Sequence, residues 1–86
     1  MIIKKETDNK IIVLINDTDA HARKLTYSRD TDESGRYILK DESDLTFFMD
    51  TPPEGKTVAE AGLENKLQHG YVEIMESEFK EHFQQA

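Results

Sequence analysis

The chain contains no cysteine, which excludes a disulfide framework, a thiolate metal site and a cysteine nucleophile, and makes a reducing compartment its natural setting. It also lacks a long apolar run. The longest, Ile11 to Ile15, is far too short to span a bilayer, and Met1-Ile2-Ile3-Lys4-Lys5 has neither the apolar centre nor the cleavage site of a signal peptide. A cytoplasmic protein without membrane attachment is therefore expected. There is no Gly-rich phosphate loop, and the three histidines, His21, His69 and His82, show no close pairing from which a zinc site could be read. Ser28, Ser34, Ser43 and Ser77 stand in turn-like or capping contexts without a nucleophile elbow. Nothing here points to nucleophilic catalysis, and an enzyme is not expected.

Basic side chains are also scarce: 11 Lys and Arg face 18 Asp and Glu, for a net charge of -7 over 86 residues. The imbalance is local. Through Arg29 the chain carries six basic and four acidic side chains; from Asp30 onward it carries five basic and fourteen acidic ones. A phosphate backbone requires a basic stripe, so direct nucleic-acid binding is disfavoured and a partner with a basic surface is favoured.

At this length the chain can bury one modest core, and large apolar residues from Ile11 to Phe83 are spread widely enough to build it. One acidic domain, 1–86, is expected. Ile2-Ile3 and Lys10–Asn16 flank the turn-forming Thr7-Asp8-Asn9, predicting a β-hairpin. Ile11 to Ile15 is apolar on both faces, as in a strand buried between two layers. Ala20–Arg29, Arg36–Lys40, Asp44–Asp50 and Tyr71–Met75 read as further strands. Thr51-Pro52-Pro53-Glu54-Gly55 ends the β-rich part, because adjacent prolines remove ladder donors. Thr57 and Glu60 have capping-box spacing, so a helix is predicted over about 57–69, with Gly70 at its C-terminal turn and Gly62 weakening it. Ser77 is the expected cap of a short C-terminal helix carrying Phe79 and Phe83. The fold class is thus α+β: a small, mostly antiparallel sheet of about five to six strands, with one helix near 57–69 and a short C-terminal helix.

The densest chemistry lies between Asp30 and Glu42. With Asp30 at position 1, Asp32, Ser34 and Asp41 fall at positions 3, 5 and 12, Gly35 at 6 and the Arg36 carbonyl at 7, which resembles an EF-hand loop over twelve residues. The resemblance implies a Ca²⁺ or Mg²⁺ site held by Asp30, Asp32, Ser34 and Asp41. Three departures stand out: Tyr37 at position 8, Asp41 in place of the bidentate Glu, and flanks that do not read as paired helices. The simpler alternative is an acidic hairpin loop in which Asp and Ser bond their own backbone, Gly35 supplies a positive φ, and no cofactor is needed.

Glu54 and Lys56, with Asp44 upstream, have the Glu-x-Lys spacing of a nuclease superfamily, but two prolines and Gly55 place them on a turn where that chemistry needs a rigid strand. Phe47 and Phe48 are adjacent, so a strand would point them to opposite faces and one can be exposed. The function expected from charge and composition is a small acidic binding protein that docks on a basic, nucleic-acid-binding type of surface and inhibits or modulates a larger protein. Its logic matches that of anti-restriction, anti-CRISPR or immunity proteins, an analogy of size and composition alone. The expected contact residues are Asp30, Asp32, Glu33, Asp41, Glu42 and Asp44, with Phe48 as an anchor.

Overall fold

Strand β2 (Lys10–Asn16) decides the architecture, because its two faces bury different cores. In the computed structural model, which describes Met1–Ala86, Ile11 and Val13 point to one side of a five-stranded sheet and Leu14 to the other. The other strands are β1 (Ile2–Glu6), β3 (His21–Thr31), β4 (Tyr37–Thr46) and β5 (Val72–Ile74); the helices are α1 (Val58–Lys66) and α2 (Glu76–His82). The sheet runs β4-β3-β2-β1-β5 with every pairing antiparallel. Helix α2 brings Phe79, followed by Phe83, onto Ile11, Val13, Leu25 and Tyr27. Helix α1 lays Leu63 on Ile3, Leu14 and Ala22 of the opposite face. A continuous apolar strand is what a sheet covered on both sides requires. No helix is long and apolar enough to cross a membrane.

The hairpin of β1 and β2 forms as predicted, closed by the Thr7 amide donating to the Lys10 carbonyl at 2.9 Å. The predicted strands Arg36–Lys40 and Asp44–Asp50 are a single strand, β4, running through the polar Lys40-Asp41-Glu42-Ser43 and stopping at Thr46, so the sheet has five strands. At an edge, side chains need not be apolar, and the ladder to β3 holds the polar stretch in place. The register advances by one residue between the pairs Thr26/Asp41 and Tyr27/Leu39, leaving Lys40 as a β-bulge. With eleven and ten residues, β3 and β4 form a hairpin of about 36 Å, which accounts for most of the molecule's 45 Å length.

Thr57 caps α1 as its spacing predicts, its hydroxyl accepting the Glu60 amide at 3.1 Å. The helix ends at Lys66, short of His69, and a turn follows in which Gly70 has φ +92°. Gly62 proves necessary for packing: a Cβ there would overlap the ring of Phe47. Ser77 does not cap α2. The N-cap position is Met75, without a side-chain hydrogen bond, and the helix is held instead by Phe79 and Phe83 in the core.

Candidate protein-binding surface

Asp30 to Asp44 fold into the long β3–β4 hairpin, so six of the seven expected contact residues share one element and Phe48 is the second residue beyond it. Its tip is a tight loop over Asp32–Arg36. The Gly35 amide donates to the Asp32 carbonyl at 3.0 Å, the Asp32 amide donates to the Arg36 carbonyl at 2.8 Å, and Gly35 has φ +84°. This is the three-residue hairpin loop with a left-handed glycine.

The Asp32 carboxylate serves that loop. Oδ1 accepts the Ser34 hydroxyl at 2.6 Å, the Ser34 amide at 2.9 Å and the Arg36 amide at 3.0 Å, while Oδ2 accepts Nε2 of Gln84 at 3.0 Å. The Ser34 hydroxyl, the Gln84 amide and the Arg36 backbone, in that order, hold the Asp32 carboxyl well below the usual carboxylate range. Asp41 lies opposite Thr26 in the ladder, four residues along the strand from Asp30, or about 13 Å. The twelve-residue frame that resembles an EF-hand is therefore an extended hairpin that does not bring Asp30, Asp32, Ser34 and Asp41 together. No group of three or more His, Asp or Glu side chains converges anywhere in the molecule.

The remaining carboxylates fall into two sets. Glu42 pairs with Arg23, whose Nε donates at 3.0 Å, and Asp44 pairs with Nδ1 of His21 at 2.8 Å; both pairs bridge β3 and β4 on the α2 side of the sheet. Asp30, Glu33 and Asp41 are exposed and their side chains make no hydrogen bond or ion pair. Asp41, Glu42, Ser43 and Asp44 are four consecutive exposed residues on the outermost strand. Of the other residues weighed for chemistry, Glu54 lies in a turn, Lys56 pairs with Glu64, and Nδ1 of His69 lies 2.9 Å from the Asn65 carbonyl at the end of α1.

Beyond Thr46 the chain leaves the sheet. Phe47 packs against the α1 core, and Phe48 is 90% exposed, the most exposed large apolar side chain in the molecule. An open groove of about 450 Å³ lies beside it, lined by Phe47, Phe48, Met49, Pro53, Gly62 and Asn65 among others. At the far edge, Val72 and Met75 are also exposed.

Sequence reasoning missed Gln84. Its amide donates to the Tyr37 carbonyl at 3.0 Å, its Oε1 accepts the Leu39 amide at 2.9 Å, its Nε2 reaches Asp32, and its carbonyl accepts the Tyr27 hydroxyl at 2.7 Å. Phe83 next to it forms a parallel bridge with Tyr37, and its ring meets Tyr27 edge-on, Tyr37 at a tilt and Phe79 in a stack. The C-terminal segment is thereby clasped to the outer edge of β4. Comparison with models of known protein families, with curated proteins and with solved structures finds no match to this chain.

Proposed function

We propose that this chain is a binding protein, not an enzyme, which docks the acidic edge of its β3–β4 hairpin on a basic surface of a larger protein and inhibits or modulates it. The reading is supported chiefly by the exposed run Asp41-Glu42-Ser43-Asp44 on the outermost strand, which puts three carboxylates on a protruding element. Asp30 and Glu33 extend the negative surface to the hairpin tip, and Phe48 supplies an apolar anchor at the other end. A surface built to hold phosphates is the best match in charge, so the protein acts as a nucleic-acid mimic and does not itself bind nucleic acid. The cysteine-free chain suits a cytoplasmic partner.

Affinity capture from host extract at low and moderate salt tests this, with wild type beside an Asp30→Lys/Glu33→Lys/Asp41→Lys variant. These three side chains have no internal partner, so their reversal leaves the fold alone. The expected result is a protein retained by wild type, released by salt and lost by the variant. Equal retention by the variant would remove the acidic edge from the interface.

A further inference from the structure

We infer that the outer edge of β4 between Glu42 and Thr46 is a strand-addition site, which takes an extended, Lys/Arg-rich segment of the partner as a sixth strand. This rests on the proposed docking of the acidic edge and adds the mode of recognition. The backbone directions follow from the ladder. The Phe47 amide donates inward to the Ala20 carbonyl at 2.8 Å. Since backbone groups alternate sides along an antiparallel strand, Leu45, Ser43 and Asp41 also face β3, and Thr46, Asp44 and Glu42 turn their N–H and C=O groups outward. At the other end of β4 the Arg36 carbonyl faces inward, to the Asp32 amide, so Tyr37 and Leu39 face outward. The bulge at Lys40 is the one extra residue needed to change from odd to even outward positions.

The outward Tyr37 carbonyl and Leu39 amide are occupied: Gln84 bonds both, and Phe83 bridges Tyr37 in parallel. The molecule thus already seats an extended segment on this edge, and that segment stops before Glu42. The outward groups of Glu42, Asp44 and Thr46 have no partner within the chain. Charge selects what completes the edge. A second copy paired antiparallel through β4 would set Glu42 and Asp44 against their counterparts, which like-charge repulsion disfavours. A strand with Lys or Arg meets carboxylates on both faces, the unpaired Asp41 on the α1 side and, on the α2 side, Glu42 and Asp44, which it shares with Arg23 and His21. Main-chain bonds then supply affinity, and the alternating side chains supply selectivity.

The test uses a synthetic heptapeptide alternating arginine with threonine, titrated into the whole protein by isothermal calorimetry and followed by amide hydrogen exchange. Thr46→Pro removes one outward N–H without altering charge, and edge strands tolerate proline there; Thr46→Val is its control. Expected are salt-dependent binding to wild type, slowed exchange at the amides of Glu42, Asp44 and Thr46, and affinity lowered roughly tenfold by Thr46→Pro but not by Thr46→Val. Asp44→Pro against Asp44→Asn repeats the comparison in mid-strand should Thr46→Pro fold poorly. Undiminished binding by both proline variants, without amide protection, would overturn strand addition and leave acidic docking standing. If wild type binds no basic peptide even at low salt, both readings fall.

Discussion

Asp32 illustrates how a carboxylate that reads as a ligand can be consumed by the fold. Four donors surround it, one of them from Gln84, which joins the hairpin tip to the chain's last residues. Its pKa lies below the ordinary 3.8, so its contribution to stability is complete above that value and is lost as pH falls below it. Asp32→Asn should therefore be less stable at neutral pH and show a flatter loss of stability between pH 4 and 2 in urea melts. Tyr27 works in the opposite direction. Burial pushes its phenol up to about 12, so stability is complete below pH 10 and lost as pH rises toward 12. Tyr27→Phe should abolish that alkaline slope and cost about 1 kcal/mol at neutral pH by removing the bond to the Gln84 carbonyl. Nothing in the sequence flags Gln84. It has no periodicity or motif, and its partners lie 45 to 57 residues away. The acidic character of Asp30–Asp44 was legible, whereas the division between free and internally paired carboxylates depends on the register of β4 against β3.

At the level of elements, legibility follows where the signal is local. Thr57 declares the start of α1, because a cap acts within three residues. The apolar Ile11–Ile15 declares a strand between layers, because each face must meet a core. The sequence predicts two strands where β4 is one because the middle of β4 is polar, and only its place at the edge makes a polar strand acceptable. Ser77 misled because α2 is held by two phenylalanines, not by a cap. Gly62 has a role that composition hides. In an exposed helix, Gly to Ala usually stabilises by about 1 kcal/mol, but here the new methyl meets the Phe47 ring. Gly62→Ala should lower the thermal midpoint and release Phe47 from the α1 core. Calorimetry, with ring resonances followed by NMR, checks both effects; a stabilised variant with unchanged Phe47 signals would mean the ring yields freely.

Across the whole molecule, the two sheet edges are protected differently. The β5 edge is short, at three residues, which limits what can pair with it. The β4 edge is long, and the C-terminal clasp covers only its Tyr37–Leu39 end. From Glu42 to Thr46, on the strand-addition proposal, the protection is electrostatic: a like strand brought alongside sets carboxylate against carboxylate, while a basic strand is attracted. The same charges would then both prevent self-pairing and select the partner. Glu42→Thr/Asp44→Thr removes this repulsion and adds residues of high β-propensity. The core is untouched, since both side chains are exposed, although Arg23 and His21 lose their carboxylate partners. The double variant should therefore self-associate more strongly than wild type at equal concentration, by sedimentation velocity, and adding Thr46→Pro should reverse the association by removing an outward donor. Raising salt should narrow the gap between wild type and variant, because screening weakens the repulsion that the substitutions abolish. Indistinguishable sedimentation at every concentration would show that charge is not what keeps this edge from pairing with itself, and the covering of β4 would then have to be sought in its twist or its bulge.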